Sequence, residues 1–229
     1  MKYNNKILFL ADDHYKARPG LMLAEKLKTK LDIEFHENDW SPLEQEDLKS
    51  RYKIIILNLI SHTCGIEPPS AKAEKILKEY LEAGGSMLLC HGSSAAFWHW
   101  DWWRPLVGFR WVRSQDPDGA EPSTHPKRPY VLRRAKCSHP LVKQLKEAEF
   151  PEDEIYIHLE QTCPATILME TTTLEGTFPQ VYIANTPWGG QLISSLPGHA
   201  AEVVQSDANV TNSLVLIEAL LGNSANTES

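Results

Sequence analysis

Residues 82–92 read Glu-Ala-Gly-Gly-Ser-Met-Leu-Leu-Cys-His-Gly. The glycine pair is a helix stop, Ser86–Cys90 is a short apolar strand candidate, and His91-Gly92 is a turn. Upstream, Ala73, Ile76, Leu77 and Tyr80 share one face of a helix expected over about 70–83, behind the Pro68-Pro69 break. Before that, residues 54–60 (IIILNLI) form the strongest apolar run in the chain, rich in β-branched residues, as suits a strand near the centre of a sheet. The same alternation appears again toward the N-terminus. Lys6–Ala11 is a continuous apolar run, Leu21, Ala24, Leu27 and Leu31 recur at helical spacing after Pro19-Gly20, and Asp32–His36 alternates as a strand. Two strand-helix-strand units in succession predict a parallel sheet with right-handed crossovers.

The second half is less regular. Residues 108–129 are dense in Asp, Pro, Gly and charge, and read as an extended excursion over the sheet edge. Tyr130–Ala135, Thr166–Glu170, Val181–Ala184 and Gln191–Leu196 are strand candidates, the middle ones antiparallel additions. A closing helix is expected over Asn209–Leu221, so that residues 1–222 make one α/β domain and 223–229 a flexible tail.

Composition narrows the function classes. With 30 acidic against 23 basic residues the 229-residue chain carries a net charge of −7, which argues against nucleic acid or an anionic membrane as partner. The cluster Arg128, Arg133, Arg134 and Lys136 reads as a solvated strand edge. Within Met1–Asp13 only Ile7–Ala11 is apolar, too short for a signal-peptide core, and nothing approaches a membrane span. The four cysteines, Cys64, Cys90, Cys137 and Cys163, contain no C-x-x-C pair. Reduced thiols in a cytoplasmic location are the expectation.

In open α/β sheets ligands bind beyond the carboxyl ends of the strands. The first strand delivers Asp12, Asp13 and His14 there, the third Asn58, Ser61 and His62, the fourth His91, and the late strand Gly198 and His199. A strand-turn-helix elbow presents one side chain at the top of a sheet, and two compete for it here. If Cys90 holds the position, the site is a thiol hydrolase or amidotransferase with His199 as base and Glu202 as orienter. If His91 holds it, the chemistry is general acid–base catalysis or metal binding, and Cys90 is a small buried hydrophobe. Trp98, Trp100, Trp102 and Trp103 offer faces for a sugar ring, or else a hydrophobic lid or a contact between copies of the chain. Glu152-Asp153-Glu154 is by composition a solvated acidic turn. His14, His91, His125, His139, His199 and Glu154 are all metal-ligand types, but no local pair has ligand spacing.

The segment 82–92 resembles the glycine-rich helix end, strand and His-Gly turn of the trehalose-utilisation (ThuA-like) family. Trp103–Arg110 (WRPLVGFR), Ser138–Val142 (SHPLV), Pro151–Tyr156 (PEDEIY), Pro187-Trp188 and Gly190–His199 (GQLISSLPGH) are similar to its further motifs in the same order. Phe109 stands where the family has a second glycine, and His125 is the match for its next histidine. The resemblance implies a flavodoxin-like three-layer α/β/α sandwich of the class I glutamine amidotransferase type, with a mostly parallel sheet and extra edge strands. It places histidine rather than cysteine at the elbow. It implies a role in carbohydrate metabolism on a disaccharide or keto-sugar, by hydrolysis, elimination or isomerisation. On this reading His91 and His199 are the acid/base pair and Glu154 orients one of them or bonds the substrate. His14, Trp103, Arg110, His125 and His139 shape the substrate pocket. No cofactor is required, a divalent metal is an open option, and the partners are a small-molecule sugar and a second copy of the chain. The rivals are the Cys90-dependent hydrolase and a non-catalytic carbohydrate-binding protein.

Overall fold

The computed structural model describes residues 6–60, 65–114, 116 and 120–226. Its first half runs β1 (Ile7–Ala11), α1 (Pro19–Leu27), β2 (Ile33–Glu37), α2 (Leu48–Arg51), β3 (Ile54–Asn58), α3 (Ala71–Glu82) and β4 (Ser86–Cys90). Then come β5 (Phe109–Arg110), β6 (Lys127–Arg134), β7 (Ala148–Glu154), β8 (Glu160–Gln161), β9 (Ala165–Thr173), β10 (Gly176–Asn185), β11 (Gln191–Ser195), α4 (Ala201–Val204) and α5 (Asp207–Asn226). Ser70 caps α3 through its hydroxyl, which accepts the Ala73 N–H. Residues 61–64, which include the polar end expected after the third strand and Cys64, lie outside the described residues, as do 227–229 of the tail.

Nine strands form one sheet in the order β2-β1-β3-β4-β11-β10-β9-β6-β7. The pairs from β2 to β11 are parallel and those from β11 to β7 antiparallel. The expectation of a mostly parallel sheet is therefore corrected: parallel pairing stops at β11. The reason lies in the connections. Parallel neighbours need a long crossover, which α1 and α3 supply in the first half, whereas β9 and β10 are joined through Leu174 and Glu175 alone. Glu152-Asp153-Glu154, read as a solvated acidic turn, instead closes the edge strand β7. Arg128, Arg133 and Arg134 of the basic cluster sit on β6, which is paired on both sides and not itself an edge, and Lys136 follows it.

Side chains alternate across the parallel half. Ile7, Phe9, Ile54, Ile56, Leu88 and Ile193 pack on one side with Leu23, Leu27, Leu216 and Ile217 of α1 and α5. Leu8, Leu10, Ile55, Leu57, Met87 and Leu89 pack on the other with Ala73, Leu77 and Tyr80 of α3. Burying a strand on both faces removes each of its side chains from water and suits the unbroken apolar runs seen in the sequence. Among the described residues no helix is long and apolar enough to cross a membrane.

Candidate functional site

The carboxyl ends of β1, β4 and β11 deliver His14, His91 and His199 to one place. Their ring centroids are 5.2 Å (His14–His91), 5.0 Å (His14–His199) and 5.4 Å (His91–His199) apart. The end of β7 adds Glu154, and the chain entering β6 adds His125 and Lys127. Above them opens a cavity of about 540 Å³, whose wall includes His14, Tyr15, Trp111, His125, Glu154 and His199. That volume suits a small ligand of sugar size.

Local structure aims each group. After β4 the backbone turns sharply at His91, which holds a left-handed φ of 51°. Cys90, the last strand residue, points into the core below the turn, and His91 rises from the sheet top. A Cβ on Gly92 would come within 2.7 Å of Ile60 Cγ1 and 3.0 Å of the Tyr156 hydroxyl, so the residue after the histidine must be glycine for the turn to sit this close. After β1, His14, Tyr15, Lys16 and Arg18 all have positive φ. Asp12 braces that strained segment: one carboxylate oxygen accepts the His14 N–H at 3.2 Å and the other the Ile60 N–H at 2.8 Å. After β11, Asp153 accepts the N–H groups of Gly198 (3.0 Å), His199 (2.9 Å) and Ala200 (2.7 Å), with Gly198 at φ 125°.

The polar contacts form one network. His91 Nδ1 donates to the Leu196 carbonyl at 3.2 Å, which leaves its Nε2 to accept from the Tyr156 hydroxyl at 3.3 Å. His199 Nδ1 lies 3.1 Å from His14 Nε2 and 3.4 Å from Glu154 Oε1, and its Nε2 accepts from Lys127 Nζ at 3.1 Å. Glu154 also lies 3.5 Å from His91 Nε2, 3.3 Å from His125 Nδ1 and 3.5 Å from Lys127 Nζ. One carboxylate thus faces four nitrogen groups that are cationic or can become so. Burial holds the His91 imidazole well below the usual histidine range, helped by positive charge on His14 and His199. Burial followed by the Lys127 charge lowers His14, and burial, outweighing the Glu154 charge, lowers His199. All three rings are neutral near pH 7. Burial first, and then the Glu154 charge, push the Tyr156 phenol well above its usual range.

Several expected residues sit elsewhere. Trp103 has 0% exposure and packs in the core against Phe97, so it does not line the cavity. Phe97, Trp100 and Trp102 stack beside it over α3, with the Trp102 indole N–H donating to Glu74. The tryptophan run is a lid on the sheet. Arg110 is buried and ion-paired to Glu160 and Asp116, which fastens the excursion at 110–116 along a separate groove. His139 caps a short turn by accepting the Leu141 N–H. Glu202 is exposed, and the carboxylate beside His199 is Glu154. Burial pushes the Cys90 thiol up to about 12, which counts against a Cys90 nucleophile. His91, with 1% exposure, lies beneath the cavity floor and not on its wall.

Sequence reasoning passed over Lys127, Trp111 and Tyr15, and took Asp153 for a solvated turn. Lys127 opens β6, a position that only the fold brings to the histidines. Trp111 stands alone, apart from the tryptophan run that drew attention, and its ring meets His125 and Tyr156 at 5.3 Å and 5.1 Å.

Comparison with known proteins follows the same lines. No protein in the curated set matches by sequence. Among solved structures the chain is similar to a ThuA-like protein from Parabacteroides merdae ATCC 43184, with TM-score 0.76 and 18% identity over 94% of this chain and 89% of that one. A ThuA-like protein from Bacteroides uniformis ATCC 8492 gives TM-score 0.71 and 14% identity over 95% and 91%. The β-galactosidase from Rahnella sp. R3 gives 0.56 and 12%, over 94% of this chain but 31% of that one. The family model described as ThuA, trehalose utilisation, matches residues 7–215. The strand ends that gather the histidines all fall inside that match, and the chain belongs to the ThuA, trehalose-utilisation, family.

Proposed function

We propose that the chain processes a sugar or keto-sugar by proton transfer at the floor of the cavity. The observation that carries this is the convergence of Glu154 and the histidine cluster beneath an open volume of about 540 Å³ in a chain of a carbohydrate-utilisation family. Hydrolysis, elimination and isomerisation of a sugar each need a proton removed at one atom and delivered at another. Glu154 and His199 both line the cavity and lie within hydrogen-bond reach of each other, so they are the direct acid/base groups. His91 acts through them: it fixes Tyr156 and faces Glu154 from below, which makes it a positioning residue. Trp111 and Tyr15 replace the buried tryptophans as the aromatic faces for a pyranose ring. Helices on both faces of the parallel half support the finer reading of a glutamine-amidotransferase-like sandwich, and the free cysteines Cys90, Cys137 and Cys163 are compatible with a cytoplasmic setting.

The test is a turnover screen of the purified chain on disaccharides and their 3-keto derivatives, read by chromatography and mass. Glu154→Gln should lower kcat by about 10²–10⁴ on any active substrate while the fold survives. Saturable sugar binding by calorimetry without product would point to a binding protein. Neither binding nor turnover of any sugar would sink the reading.

A further inference from the structure

We infer that His14, His91 and His199 bind one divalent transition-metal ion of the zinc class, with Glu154 bordering an open fourth position. The inference does not depend on the substrate being a sugar, since the ion is held by the chain's own side chains; with the ion bound, His199 is a ligand and Glu154 is the group left beside it to move a proton.

The geometry is close to what such an ion requires. A tetrahedral centre with metal–nitrogen bonds of about 2.0–2.1 Å spaces its ligand atoms about 3.3 Å apart. His14 Nε2 and His199 Nδ1 already stand 3.1 Å apart, and one nitrogen from each of the three rings lies within 4.8 Å of the others. The Glu154 oxygens lie 3.5 Å from His91 Nε2 and 3.4 Å from His199 Nδ1. Small side-chain rotations would bring the set to bonding distance.

The outer contacts fit as well. A ligating histidine commonly gives its other N–H to a carbonyl or carboxylate. His91 does so to Leu196, so its Nε2 lone pair faces inward, where metal would displace the Tyr156 hydroxyl that it accepts from at 3.3 Å. His14 Nδ1 is buried with no hydrogen-bond partner among the described residues, and the Asp12 carboxylate waits 3.9 Å away. Two of the three histidines are held on left-handed backbone, His14 at φ 42° and His91 at 51°, conformations that persist only where the surroundings impose them.

Lys127 supplies a counterweight. Its ammonium donates to His199 Nε2, which keeps the ring proton on Nδ1, the nitrogen facing His14. Metal on Nδ1 moves that proton to Nε2, and the Lys127 bond is lost. Lys127 therefore weakens metal binding, and its side chain must swing toward Glu154 or solvent when the ion enters.

Dialysed full-length chain is titrated with Zn²⁺ alone and with Co²⁺ alone, by calorimetry and by the visible bands of cobalt. One ion per chain with micromolar or tighter Kd and bands of four-coordinate cobalt is expected. His199→Ala should weaken binding by more than about 100-fold and Asp12→Asn by about tenfold. Lys127→Met should tighten it by about tenfold, as loss of a competing charge-assisted hydrogen bond implies. Binding weaker than about 100 µM for both ions, or Kd unchanged in His199→Ala, overturns the site. If His199→Ala does not fold, Lys127→Met decides: unchanged or weaker binding there overturns it. Sugar turnover is scored separately, so a failure of the sugar reading leaves the metal result intact.

Discussion

Cys90 and His91 are neighbours in sequence and opposites in chemistry. The strand period sends Cys90 into the packed face toward α5, and the positive φ of His91 then lifts the imidazole above the sheet. Because burial pushes the Cys90 thiol up to about 12, it stays a thiol at pH 8. Iodoacetamide at pH 8 should label exposed Cys137 and spare Cys90 in the native protein, with peptide mass spectrometry as the readout. Rapid labelling of Cys90 would restore the thiol mechanism. The motif around this pair was readable as a strand and a turn. Which of the two side chains occupies the elbow was not readable from spacing, since a one-residue shift of the turn exchanges them.

At the scale of elements, the strands of the first half were legible because β1, β3 and β4 are apolar runs and β2 alternates. β7 was not. Its sequence, Ala-Glu-Phe-Pro-Glu-Asp-Glu, contains a proline and acidic residues that signal a turn, and such a strand is tolerated at the sheet edge, where one side needs no ladder bonds. Its last residues then do two jobs for the site: Glu154 faces the histidines and Asp153 holds the turn that carries His199. Asp153→Asn would set an amide NH₂ against backbone N–H groups in a buried place. It should cost about 2–3 kcal/mol in denaturant unfolding and reduce any activity through His199. A variant as stable as the parent would show that the three backbone bonds contribute little.

Across the whole molecule, the aromatic residues divide between core and site. Trp103 is fully buried, and Trp103→Ala should cost about 3–5 kcal/mol through the cavity it leaves. Trp111 is half-buried on the wall of the pocket, so Trp111→Ala should weaken sugar binding by calorimetry with little change in Tm. The reverse pattern would return the tryptophan run to the site and remove Trp111 from it. The sheet itself changes character at β11, which is parallel to β4 and antiparallel to β10, and this switch brings the late antiparallel strands against the early parallel ones. Glu154, His125 and Lys127 from β7 and the entry to β6 reach His14 and His91 for this reason.

The amino-acid order alone determined the alternating α/β first half, the candidate histidines at the strand ends and the family resemblance. Those depend on local periodicity and short motifs, which a linear reading preserves. Tertiary structure decided that parallel pairing stops at β11, that Trp103, Arg110 and His139 lie away from the cavity, and that Lys127, Asp153 and Trp111 belong to the site or hold it in place. Each of these is a contact between segments far apart in the chain, and only the order and direction of the strands sets which segments meet.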